Sequence, residues 1–131
     1  MLTRKMDGDT MLFYKDDKMV LSVEETDQDG GILMKLRGEL LSECAQPIQD
    51  ELEALISVGL KVVIDFAGVE YVSAASMNAM LDSQHLADFF RRGELILRGL
   101  PDEVYQTIPV SRLRSKEFSS VVLKYMKERR V

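Results

Sequence analysis

The stretch Ile64-Asp65-Phe66-Ala67-Gly68-Val69-Glu70-Tyr71-Val72-Ser73-Ala74-Ala75-Ser76-Met77-Asn78-Ala79-Met80-Leu81 decides the fold of this 131-residue chain. It continues the run Leu60-Lys61-Val62-Val63-Ile64-Asp65-Phe66, nearly unbroken in β-branched and apolar residues. Such a run predicts a strand buried on both faces, in a sheet covered by helices. A loop follows the strand. From about Ala74 to Arg92 the pattern predicts a helix, stopped by Gly93.

Upstream, Met19-Val20-Leu21-Ser22-Val23-Glu24-Glu25-Thr26 partly alternates and reads as a strand. Asp27-Gln28-Asp29-Gly30-Gly31 is a strong turn signal, because glycine accepts the positive φ of tight hairpins. Ile32-Leu33-Met34-Lys35-Leu36-Arg37 reads as the returning strand of an antiparallel hairpin, closed by Gly38-Glu39-Leu40. Ser42 is placed to N-cap a helix running through Val58, with Ile48, Leu52, Leu55 and Ile56 at helical spacing and Gly59 as its stop. Downstream, Glu94-Leu95-Ile96-Leu97-Arg98 is a further strand. Gly99-Leu100-Pro101-Asp102 then turns into a short helix that Pro109 interrupts. In the last segment Phe118, Val121, Val122 and Tyr125 favour an amphipathic helix over a strand.

The β-α-β-α-β portion needs crossover connections and therefore parallel neighbours. The expected fold class is α/β: one domain with a mixed sheet of four to five strands, helices packed on it, and an N-terminal hairpin. Residues 1–18 read as an N-terminal extension or a short strand, and residues 19–131 as the domain itself.

Composition restricts what such a domain does. Apolar residues make up 46% and charged residues 30%, the balance of a soluble globular protein. The net charge of −5 is poorly suited to neutralising phosphates, so no nucleic-acid partner is expected. The single cysteine, Cys44, excludes an intrachain disulfide and agrees with a reducing compartment. No apolar run is long enough to span a bilayer, and Met1 to Asp9 lacks the apolar core of a signal peptide. A cytoplasmic location without membrane insertion is the expectation.

These residues carry a resemblance. Gly38-Glu39-Leu40 before a helix, Val62-Val63-Ile64-Asp65-Phe66 with Val69 and Val72 before the next, and Arg92-Gly93-Glu94-Leu95-Ile96-Leu97-Arg98-Gly99-Leu100 follow one pattern in order and spacing. The pattern is similar to the STAS domain of bacterial anti-sigma-factor antagonists. The resemblance covers roughly residues 19–110. It implies a signal-transduction role in transcription regulation, through a protein partner: an anti-sigma factor, or a serine kinase of the histidine-kinase-like ATPase fold. Some members of the family instead dock on the ATPase of an ABC-type lipid transporter, so an accessory subunit of a membrane transport complex is the alternative.

The departures from the pattern matter as much. In the family the loop reads roughly Asp-Ser-Ser-Gly-Leu-Gly, and its second serine is phosphorylated by the partner kinase. Laid on it, Ser73 takes the Asp position, Ala74 the first Ser and Ala75 the phosphorylated Ser. Ser76, Met77 and Asn78 take the Gly, Leu and Gly. Leu41 replaces the Asp that often follows Gly-Glu-Leu. Phosphorylation at a helix start adds nearly two negative charges beside backbone amides that favour a phosphate. Alanine packs against a partner but takes no phosphate. The expected partner-binding surface is Ser73, Ala74, Ala75, Ser76, Met77 and Asn78. Ser73 or Ser76 is a substitute phosphoacceptor, or Ser73 is the helix N-cap and Ser76 a small first-turn residue. Capping is the favoured reading, because short hydroxyl side chains are strongly preferred there.

Catalytic and metal chemistry find little support. His85 is the only histidine, and no Cys-x-x-Cys, P-loop or dinucleotide fingerprint is present. His85 reads as lying on the exposed or half-exposed face of its helix, and a catalytic role needs Cys44 or a serine beside it. Asp65, Glu70 and Asp82 are conceivable as an acidic site. Asp65 is better read as a strand-end residue whose carboxylate bonds loop amides. Met77 and Met80 read as core filling, although methionine also suits adaptable binding surfaces. The expectation is a binding module with no cofactor, no metal and no catalytic residues.

Overall fold

The structure is a computed structural model, and it describes residues 2–102. Six strands form one sheet: β1 (Leu2–Asp7), β2 (Thr10–Lys15), β3 (Lys18–Gln28), β4 (Gly31–Leu40), β5 (Lys61–Val72) and β6 (Glu94–Arg98). Helix α1 (Ala45–Ser57), entered through a 3-10 turn Ser42–Cys44, connects β4 to β5, and α2 (Ala74–Phe90) connects β5 to β6. Spatial order equals chain order. The first four strands pair antiparallel, and β4, β5 and β6 pair parallel. This is the expected mixed α/β fold, with more strands than the four to five read from sequence.

The extra strands come from the N-terminal segment, where residues 2–15 form a complete hairpin. Met11 and Phe13 of β2 point into the core and are buried. Their alternation is masked in the sequence because Leu12 and Tyr14, on the other face, are apolar too. Three tight turns organise this half. Asp29 and Gly30 have φ of 47° and 80°, and Asp16 and Asp17 have φ of 52° and 65°. Two consecutive left-handed residues give the turn whose twist matches paired strands. Glycine and aspartate reach that region more cheaply than most residues. At Gly8, between β1 and β2, φ is 61°.

Both helices pack on one face of the sheet and against each other. From the sheet, Met34, Leu36, Val62, Ile64, Phe66, Leu95 and Leu97 point toward them, buried to 1% exposure or less. Ile48, Leu52 and Ile56 of α1 and Met77, Met80 and Ala87 of α2 close the core. The expectation that β5 is buried on both faces is corrected here. Val62, Ile64 and Phe66 are buried, Val63 and Asp65 half-buried, and Lys61 and Ala67 exposed. The helices cover one side, so burial alternates with the pleat. The opposite face carries a cross-strand row of alternating charge, Glu24–Lys35–Asp65–Arg98. Opposite charges set directly across neighbouring strands attract.

Two boundaries differ from the sequence reading. β5 does not end at Phe66: it runs on to Val72, pairing Gly68 with Arg37, Val69 with Gly38, Tyr71 with Glu39 and Val72 with Leu40. The expected loop is strand with two register shifts, each absorbing one extra β5 residue as a bulge. Ser42 is not an N-cap. Leu41, extended at φ −70° and ψ 161°, precedes the 3-10 turn, and that turn runs directly into α1 through the helical Cys44. Gly59, at φ 87°, follows the end of α1 as expected. The readings beyond Asp102, including the break at Pro109 and the helix around Phe118 to Tyr125, lie outside the described residues.

Candidate functional site

Val72 ends β5, and Ser73 turns the chain into α2 while keeping extended angles, φ −71° and ψ 154°. Its Oγ accepts the Ser76 backbone N–H at 3.1 Å. Ser73 is therefore the helix N-cap, as the capping reading expects. The cap is part of a longer chain of bonds. The Ser73 hydroxyl donates to Ser76 Oγ at 3.0 Å, and the Ser76 hydroxyl donates to the Leu41 carbonyl at 3.0 Å. The Ser73 N–H donates to the Leu40 carbonyl at 2.8 Å. Each serine hydroxyl thus gives its proton to a protein acceptor, and the start of α2 is fastened to the end of β4.

The six residues of the expected docking surface divide into two sets. Ser73, Ser76 and Met77 are 3%, 0% and 5% exposed. Ala74, Ala75 and Asn78 are exposed. Helical spacing produces the division, since residues three and four apart share a face. Met77 and Met80 fill the core as expected. Tyr71, half of whose surface is open, borders this site on the sheet side. The sequence reading assigned it no role. Its signal is position: a large aromatic two residues before a capped helix, where β5 alternation turns it away from the core.

The other chemical candidates are not brought together. Burial pushes the Cys44 thiol above its ordinary range, which disfavours a thiolate. His85 is exposed on α2, roughly 13 Å along the axis from Ser76 by helical rise. Asp65 sits on the sheet face away from the helices. Its Oδ1 accepts the Ala67 N–H at 2.9 Å, and its Oδ2 accepts from Arg98 Nη2 at 3.2 Å. It bonds an amide as expected, but from within the strand rather than at its end. Glu70 and Asp65 line a cleft of about 550 Å³ whose walls also carry Lys35 and Arg37. Cations therefore share that cleft with the carboxylates. Asp82 lies on α2, across the sheet from Asp65. No cluster of metal-ligating residues occurs among the described residues. No helix among them is long and apolar enough to cross a membrane.

One carboxylate is strongly perturbed. Glu25 of β3 lies on the helix side of the sheet, its pKa raised to about 7 by burial first, then by Glu51 of α1 and by Asp9. Nothing in the local sequence pattern marks this residue, because its partners come from other elements.

Comparison with known proteins agrees with the geometry. Among curated proteins none matches the chain. In solved structures, an anti-sigma factor antagonist from Mycobacterium paratuberculosis superposes with a TM-score of 0.52 at 16% identity, over 77% of this chain and 93% of that one. An antisigma-factor antagonist STAS domain from Rhodobacter sphaeroides superposes with a TM-score of 0.44 at 18% identity, over 60% of this chain and 85% of that one. At such identity the first likeness is one of fold. The family model described as "Mlab, STAS domain" matches residues 23–123, from β3 onward. By that match, over most of its length, the chain belongs to the STAS domain family.

Proposed function

We propose that this protein is a non-enzymatic, protein-binding regulator that docks through the start of α2, and that the docking surface is not switched by phosphorylation. The observation that carries the reading is the division at the helix start. Ala74, Ala75 and Asn78 face solvent, while Ser73 and Ser76 are buried. A partner meeting this surface finds two methyl groups and an amide, with no charge to desolvate. The resemblance puts the phosphoacceptor at Ala75, which has no hydroxyl. In this reading Ser73 and Ser76 serve the fold, because modifying either breaks the bonds to Ser76 N–H and the Leu41 carbonyl.

The partner we propose is an anti-sigma factor or serine kinase of the histidine-kinase-like ATPase fold, in a partner-switching set where this copy stays competent to bind. A direct test incubates the protein with such a kinase and ATP and maps phosphate by mass spectrometry. The expected result is binding without label. Phosphate on Ser73 or Ser76 sinks the unswitched reading.

A second reading has its own support. The matching family model is the Mlab STAS domain, and a permanently seated subunit has no use for a hydroxyl at Ala75. In this version the chain docks on the ATPase subunit of a membrane transport complex, by the same helix start. Titration calorimetry against a purified transporter ATPase and against a kinase of the first class separates the two.

A further inference from the structure

Seven large apolar side chains are exposed among the described residues, and four of them, Val58, Leu86, Phe89 and Phe90, come from the C-terminal ends of α1 and α2. This end lies a full helix length from Ala75. Phe89 and Phe90 are 73% and 66% exposed, and their rings meet edge to face with centroids 5.1 Å apart. Beside them a groove of about 400 Å³ opens between the helices. Its walls are Glu53, Ile56 and Ser57 of α1, Ser83, Leu86 and Phe90 of α2, and Arg92 just beyond α2. Phe89 stands outside the groove, next to Phe90. The patch therefore pairs a projecting aromatic ring with an apolar slot beside it.

We infer that this patch is a self-association surface whose occupant is a second copy of the chain. Three features select that partner. In a two-fold interface one surface must complement itself, so knob and slot must lie on the same patch; Phe89 and the groove do. The groove walls carry one acid and one base, Glu53 and Arg92. A two-fold axis sets the Glu53 of each copy against the Arg92 of the other. Finally, the whole chain carries −5, so two copies repel unless they meet where charge is balanced, and Glu53 with Arg92 gives that balance. An anionic lipid surface would call for an excess of cations instead. Each copy places Phe89 in the groove of its partner, and the aromatic ring at the centre is the residue type enriched in interfaces.

The test is sedimentation equilibrium of the full chain across rising concentration into the hundreds of micromolar. A reversible shift from 14.9 kDa toward twice that mass is expected. Phe89→Asp, at an exposed position, weakens dimerisation at least about tenfold, with a melting temperature equal to wild type at dilutions where both are monomers. Glu53→Arg and Arg92→Glu each weaken it alone, since like charges then face each other. Mixing those two single variants restores the dimer, because each contact across the axis regains one charge of each sign. A monomer throughout the range overturns the inference. So does a dimer that survives Phe89→Asp, or a mixture of the charge variants that associates no better than either alone.

Discussion

The Ser76 hydroxyl and the Leu41 carbonyl, 35 positions apart in the chain, are joined by a half-buried hydrogen bond of 3.0 Å. Removing the hydroxyl takes away two bonds, the one to the Leu41 carbonyl, which keeps the Cys44 N–H, and the one by which Ser76 Oγ accepts from Ser73. Ser76→Ala should therefore cost about 1–3 kcal/mol. Ser73→Ala should cost about 0.5–2 kcal/mol through the lost cap. Because the two share one network, the double variant should lose less than the sum. Urea denaturation checks all three, and an unmoved midpoint for Ser76→Ala counts against a structural role.

Ala75 offers the complementary test. It is exposed at the proposed docking surface, so Ala75→Glu should leave the melting temperature within about a degree or two of wild type, a surface substitution being worth under about 0.5 kcal/mol. Partner affinity should fall at least about tenfold, as a desolvated charge enters an apolar contact. Ala75→Ser should bind normally and become a substrate for the kinase. Equal affinity of wild type and Ala75→Glu in calorimetry would remove the helix start from the interface.

Glu25 makes stability depend on pH. Its folded-state pKa is raised from 4.5 to about 7, chiefly by burial and then by Glu51 and Asp9. Between those two values the folded protein holds a proton that the unfolded chain has released. The stabilising contribution is thus complete below about pH 4.5, declines as pH rises, and is gone above about pH 7. Glu25→Gln should flatten that decline and melt higher than wild type at pH 8. Thermal melts of both proteins across this range decide the matter, and parallel curves would refute the prediction.

Gly38 has φ of 108°, and a Cβ there would press against the Val20 carbonyl. Gly38→Ala should cost at least about 1–3 kcal/mol from the backbone conformation alone, with the clash added. Glu39→Ala, next to it and exposed, should be nearly neutral. Comparing the two by denaturant titration isolates the backbone requirement. A stable Gly38→Ala protein would show that β4 and β3 separate there without penalty.

Much of this architecture is legible in the chain because local signals and tertiary environment agree. The Asp29-Gly30 turn, the helical spacing of Ile48, Leu52 and Ile56, and the cap at Ser73 each state their own structure. The reading fails where the deciding partner is distant. β5 continues past Phe66 because β4 offers Arg37, Gly38, Glu39 and Leu40 to pair with, which no window around Ala67 displays. Ser42 looks like a cap, but the chain leaves β4 already bent into a 3-10 turn. Met11 and Phe13 declare a buried face only once β3 lies beside them. At the site, the residue types were readable, but which of Ser73 to Asn78 face solvent depends on where α2 meets the end of β4.

The sheet order also says something about how the molecule forms. Each strand lies beside the strand that precedes it in the chain. No strand must be threaded between two that are already paired, and the four antiparallel strands need only short turns. Contacts made early in the chain do not wait for later segments, which keeps the loop-closure cost of each addition small. The sheet can grow outward from one edge in the order of synthesis, β6 arriving last and only after α2 has been laid down.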